Sequence, residues 1–183
     1  MDTKEETRSQ RFVAAVLDRC AQDRGFAACL RRADNPDTEH YAYGILSRFG
    51  IDLENDGERR SFALIGAALS RRDAARDGTL GLGAALRCCV ESEDQGEARL
   101  RRILVCRRQD ELCRVLRPLL SLIASREAPL CHERLLDDLL KFRFEHARQR
   151  ICLRWAREFY GTISADDESA AAEAASEAGS CAD

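Results

Sequence analysis

EARLRRILVCRRQDELCRVLRPLL, residues 97–120, sets its apolar side chains three and four positions apart, the spacing that brings them to one side of a helix. Leu100, Ile103 and Leu104 share one face of a first segment. In the second, Leu112, Val115, Leu116, Leu119, Leu120 and Ile123 fall within a stripe of roughly 140° at about 100° per residue. The same stretch carries seven arginines. Arg99, Arg101 and Arg102 lie off the first apolar face, Arg114 and Arg117 lie opposite the second, and Arg107 and Arg108 sit at the joint. Pro118 removes the hydrogen bond to the carbonyl of Arg114 and is expected to kink the second helix.

Working outward, the same period recurs along the chain, no segment alternates with period two, and the three prolines at 36, 118 and 129 leave long uninterrupted runs. The predicted fold class is all-α. A first helix is expected over 5–23, with Phe12, Val13, Val16 and Leu17 inward and Gly25 beyond its end. A short helix through Phe26 and Leu30 precedes RRADNPD, where Asn35 before Pro36 makes a turn. Residues 36–49 group Tyr41, Ile45, Leu46 and Phe49 ahead of Gly50, DGERRSFALIGAALS forms the next helix, and a glycine-rich turn leads into one more. The polar stretch SEDQG at 92–96 is expected to separate an N-terminal helical domain, 1–91, from a C-terminal four-helix bundle, 97–163, with helices at about 97–107, 110–125, 130–142 and 145–161.

The chain has 183 residues, is 45% hydrophobic and carries a formal charge of −3. That total conceals an uneven distribution. Residues 59–163 hold 21 Lys plus Arg against 14 Asp plus Glu, whereas residues 164–183 hold six acids and no base. This last stretch, SADDESAAAEAASEAGSCAD, has small and acidic residues with no apolar face, and is expected to be a disordered acidic tail. The N-terminal stretch MDTKEETRSQRF has no apolar signal region and no run approaches the length of a membrane span, so a soluble cytoplasmic protein with no membrane partner is expected. Nine cysteines, odd in number and never spaced as CxxC, read as buried reduced thiols.

The last helix places Ile151, Cys152, Trp155, Ala156 and Phe159 on its apolar face and Arg150, Arg154 and Arg157 in a ridge opposite, interrupted only by Glu158. Like charges at this spacing repel by a few tenths of a kcal/mol, so an unneutralised ridge invites a polyanion. Arginine outnumbers lysine 27 to 2, which GC-rich codons alone could produce, but codon bias does not generate helical periodicity. Guanidinium forks suit phosphate oxygens and bind them with little sequence preference. The competing reading pairs these arginines with Glu111, Glu133, Asp137 or Asp138 in a solvated surface. No groove-reading motif and no aromatic sheet is present, so any nucleic-acid contact is expected at the backbone.

No catalytic site is predicted. His40, His132 and His146 fall in separate elements, and there is no Walker-type loop, HExxH or GxSxG. Cys131 with His132 and the pair Cys88 and Cys89 are too few for a zinc site, and Asp137 with Asp138 reads as one ion-paired and one solvated acid, so no metal and no cofactor is expected. A protein-binding helical adaptor and a metal-dependent hydrolase built on the Asp pair are the rival classes.

LRRADNPD followed by YGILSRFG, the GLGAAL turn and helix start, RLRRILVCRRQDELCRVLRPLL, and RLLDDLL with RWAREFYG, in this order over residues 10–161, resemble the CasB family, the small subunit of the type I-E CRISPR surveillance complex called Cascade. The resemblance implies an all-helical, non-enzymatic protein present in two copies beside larger Cascade subunits. It also implies that basic surfaces hold nucleic acid and stabilise the R-loop of guide RNA and target DNA. The family's basic positions correspond to Arg31 and Arg32, Arg59 and Arg60, Arg101 and Arg102, Arg107 or Arg108, and Arg117. The loop with Arg71, Arg72 and Arg76 only approximates the basic loop of that family, and the acidic tail departs from its pattern.

Overall fold

The computed structural model describes residues 6–71 and 76–161. The disordered-tail expectation for 164–183 and the placement of Arg72 lie outside them.

Two N-terminal helices and two later ones begin where a side chain of the sequence offers their free amides a partner. Helix α1 (Arg8–Gln22) starts in a capping box: Gln10 N donates to Thr7 Oγ1 at 3.2 Å, and Thr7 N donates to Gln10 Oε1 at 2.9 Å. Asp23 ends α1 and starts α2 (Arg24–Arg31), its carboxylate accepting from the amides of Gly25 and Phe26. A 3-10 turn (Glu39–Ala42) runs into α3 (Tyr43–Arg48), which stops before Gly50, whose φ of 67° suits glycine.

Helix α4 (Asp56–Leu69) is the centre of the molecule. Every residue from Ser61 to Leu69 is buried, which explains why its sequence is apolar on all sides rather than on one. It packs on α1 and α2 on the N-terminal side and on α7 (Gln109–Ser125) and α8 (His132–Lys141) of the second half. Helix α5 (Leu82–Cys88) lies against α9 (Glu145–Tyr160), and α6 (Glu93–Leu104) rests on α5 and α7. The α5/α9 crossing is close because Gly83 faces it: a Cβ there would sit 2.0 Å from the carbonyl oxygen of Trp155. Gly83 N donates instead to Glu158 Oε2 at 3.2 Å, placing a carboxylate at the start of α5.

The all-α expectation holds: among the described residues the only β feature is one parallel bridge, Leu80 to Leu130, which ties the link before α5 to the link before α8. The segment 92–96, read as a boundary, is the N-cap and first turn of α6, with Ser92 Oγ accepting from Gln95 N. One hydrophobic cluster runs across it, from Phe12, Phe62 and Leu86 to Leu112, Leu136 and Trp155. Helix α7 continues through Pro118 to Ser125. The cysteine reading needs correction at one end of α5, where Cys88 is exposed; Cys89, Cys106 and Cys113 are buried, and burial pushes the Cys113 thiol up to about 12.

Candidate functional site

The arginines of the opening stretch converge with others distant in sequence. Arg60 of α4, Arg107 and Arg108 of the link between α6 and α7, Arg114 of α7 and Arg143 of the link between α8 and α9 line one open groove. The acids among its lining are Asp56 and Asp110, so positive charge dominates. Asp110 is saturated from both sides: Arg108 Nε donates to Oδ1 at 2.9 Å and Arg114 donates to Oδ2 at 2.8 Å. The hydrogen bond from Arg108, reinforced by Arg114, holds its carboxyl at about 2.

The floor of this groove is built by an uncharged side chain. Gln109 Nε2 lies 2.9 Å from Gly57 O, 2.6 Å from Ser61 Oγ and 2.9 Å from Leu139 O, joining α7 to α4 and to α8. A Cβ at Gly57 would approach Gln109 Oε1 to 2.4 Å, so a larger residue there would displace the Gln109 amide from this position. Arg148 NH1 donates to Arg107 O at 3.2 Å, fixing the start of α9 beside the link between α6 and α7.

Two recesses extend the basic surface along α7. In one, Arg99, Arg102 and Arg114 surround Val115, Pro118, Leu119 and Leu122, giving an apolar floor with a cationic rim. In the other, Arg60, Arg114 and Arg117 stand over Asp34. Asp34 is buried and paired with Arg71 at 2.8 Å, while Arg117 Nε approaches it only to 3.9 Å, beyond hydrogen-bonding range. Arg71 also donates to the carbonyl of Arg31. Arg101 is exposed and paired with Glu97 one turn earlier. Arg31 and Arg32 are exposed at the end of α2, with Arg32 5.2 Å from the centre of the Tyr41 ring.

Other sequence-selected arginines sit differently. Arg59 is largely enclosed, donating to Glu39, Asp56 and the carbonyl of Leu53; it braces the loop before α4. The ridge of α9 is broken at its centre: Arg150 and Arg157 are exposed, but Arg154 turns inward to Asp138 and lies 3.7 Å from Glu158. Arg117 is also half-buried rather than wholly solvent-facing. The reason is shared, because each faces a carboxylate on another element that periodicity within one helix does not register. Arg76 lies apart from the groove, beside Val13 and Leu17 of α1.

The acidic pair resolves as one buried ion pair and one hydroxyl acceptor. Asp138 takes Arg154 on one oxygen and Trp155 Nε1 at 3.0 Å on the other, and Asp137 accepts from Ser9 Oγ at 2.6 Å. Burial pushes the Asp138 carboxyl up, against the opposing pull of Arg154. His132 is buried with its Nδ1 2.6 Å from Asp77 Oδ1. Among the described residues no group of three or more His, Cys, Asp or Glu is arranged to hold a metal ion. No described helix is long and apolar enough to cross a membrane.

Sequence reasoning passed over Arg143 and Gln109. Arg143 lies in a turn between helices, where no face is defined by spacing, and its neighbour Phe144 is an exposed aromatic, the one local sign of an unusual surface.

The family model for CRISPR-associated protein Cse2 matches residues 27–160. The crystal structure of M. ruber CasB is similar at 26% identity, covering 90% of this chain and 98% of that one with a TM-score of 0.65. CasB from Thermus thermophilus is similar at 25% identity, covering 84% and 98% with a TM-score of 0.65. CasB from Thermobifida fusca, at 20% identity, shares the fold over 86% of this chain and all of that one with a TM-score of 0.66. No curated protein matches. With the family model spanning nearly everything from α2 to the end of α9, the chain belongs to the CRISPR-associated Cse2 family.

Proposed function

We propose that this protein is the non-catalytic small subunit of a type I-E CRISPR Cascade complex in the cytoplasm, and that it holds nucleic-acid backbone on its arginine groove. The observation that carries this reading is the convergence of Arg60, Arg107, Arg108, Arg114 and Arg143 from four separate parts of the chain against two aspartates. Charge gathered in this way neutralises phosphates with no preference for base, the behaviour suited to a complex in which guide RNA reads the sequence. In the assembled complex the ligands are the displaced DNA strand and the heteroduplex of guide RNA and target DNA, so the R-loop is stabilised electrostatically. A second copy of the chain and larger Cascade subunits are the protein partners, and no membrane is involved. Arg99, Arg102 and Arg117 extend the track beyond the groove.

A second reading, a protein adaptor without nucleic-acid contact, draws on the apolar floor framed by Arg99, Arg102 and Arg114, which suits a partner side chain better than a phosphate. The deciding experiment is fluorescence anisotropy of labelled single-stranded DNA, duplex DNA and RNA over a salt series, with the natural chain and with Arg107→Ala/Arg143→Ala. The backbone reading expects affinity to fall steeply with salt and the slope on single strands to shrink by about 1.4 in the variant, about 0.7 for each lost contact. Equal binding by both proteins at low salt refutes the groove, and no binding by either favours the adaptor.

A further inference from the structure

We infer that the recess between α6 and α7 seats one unstacked base of a strand whose phosphates lie on the arginine groove. The inference rests on the backbone reading proposed above and adds to it a place for the base.

Two helices make the walls. Val115, Pro118, Leu119 and Leu122 stand at i, i+3, i+4 and i+7 of α7 and form one apolar floor, with Pro118 exposed and Val115 and Leu122 half-buried. Arg99 and Arg102, three apart on α6, form the facing rim. The recess holds about 390 Å³, within the range of small-ligand sites, and no acid is among its described lining.

Charge complementarity and continuity indicate what fits. Among the described residues the guanidinium groups of Arg99 and Arg102 make no hydrogen bond or ion pair, so two unneutralised cations border an apolar surface. Arg114, held by Asp110 at 2.8 Å, lines both this recess and the groove, so a strand tracking the groove passes the mouth of the recess. A phosphate alone leaves the floor uncovered, and an apolar side chain of a protein partner leaves the arginines unneutralised. A nucleotide supplies both parts, with phosphate oxygens for the rim and a flat base for the floor, against which guanidinium planes also stack.

Pro118 adds a polar contact. It has no N–H, so the Arg114 carbonyl lacks its ladder donor one turn away. The Watson–Crick edge of an unpaired base, thymine included, carries an N–H that can supply one, so the site tolerates any base.

The test measures, by anisotropy over a salt series, binding of the full chain to oligothymidylate and to a strand of equal length built from abasic tetrahydrofuran units, which keeps the phosphates and removes the bases. The natural chain is expected to prefer oligothymidylate about fivefold, the low end for one stacked base because the floor is aliphatic. In Pro118→Ala/Leu122→Gln, which changes no charge, the two strands are expected to bind within about twofold of each other, with the salt slope of the natural chain. A 4-thiothymidylate strand irradiated on the natural chain is expected to cross-link within residues 115–122, a readout that needs no variant. Equal binding of both strands with a steep salt slope overturns the base site and leaves the backbone reading standing. A preference that persists in the folded variant, or cross-links only elsewhere, puts the base outside the recess and overturns the inference. If neither strand binds at low salt, the backbone reading fails and the base site fails with it.

Discussion

Replacing Asp110 by asparagine tests whether the groove acts through its charge. The carboxylate neutralises part of both Arg108 and Arg114, and the substitution keeps its size and one acceptor oxygen while removing the charge. The largely exposed ion pair with Arg114 at about 0.2–1 kcal/mol, and an acid in the first turn of α7 worth about 0.3–1 kcal/mol, put the cost near 1 kcal/mol. For a chain of this size that lowers Tm by about 2–4 °C. Binding moves the other way. One further phosphate neutralised on a single strand steepens the logarithmic salt slope by about 0.7. With the two curves converging near 1 M salt, the variant binds about eightfold tighter at about 0.05 M. Anisotropy titrations over salt, paired with thermal melts followed by circular dichroism, read both quantities. Because its carboxyl is held at about 2, Asp110 is ionised at every working pH, and the gain is constant between about pH 5 and 8. A folded variant that binds no tighter, or more weakly, at low salt refutes the reasoning: the arginines then act through a geometry that Asp110 fixes, or the groove does not meet phosphate.

Three further outcomes follow from the packing. Gly83→Ala forces α5 away from α9 and is expected to cost about 1–3 kcal/mol, read as a lowered midpoint in chemical denaturation; an unchanged midpoint means the helices part freely. Asp138→Ala leaves Trp155 Nε1 buried without an acceptor and Arg154 without its main partner, at a cost of about 2–4 kcal/mol, whereas Asp138→Asn, which keeps an acceptor for the indole, loses less. Burial pushes the Asp77 carboxyl up, but its hydrogen bond with His132 and the amide of Glu133 outweigh this and leave it below the ordinary range. Its stabilising contribution is therefore present above the unfolded carboxylate pKa and fades as pH falls through the lowered folded value; D77N is less stable than the natural chain at pH 7, and the two converge in acid.

The helical order could be read from the sequence because most helices bury one stripe, and their apolar period survives as sequence spacing. Helix α4 was legible as a helix in DGERRSFALIGAALS, but its burial on every side from Ser61 to Leu69 was not, because it depends on the helices packed around it. The start of α6 was harder to place: SEDQG looks like a linker, yet Ser92 is a helix cap and the acids after it favour a first turn. For the site, Arg107, Arg108 and Arg114 were visible because they lie beside or opposite apolar faces. Arg143 was not, since a turn has no face, and the inward course of Arg154 depends on Asp138 of α8, sixteen positions away. Intrahelical periodicity tells which side of a helix is wet; which wet arginine meets a carboxylate from elsewhere is a property of the assembled helices.

Gln109 separates two properties that usually change together. Because a neutral amide ties α4, α7 and α8 beneath the groove, the cavity keeps its outline without help from the cations at its edge. Arginines on the rim can then be lost, gained or moved a position along the chain without the helices shifting. The floor acts as a fixed chassis on which the pattern of charge is free to drift, and the electrostatic track can be retuned for a different strand or a different partner while the fold stays as it is.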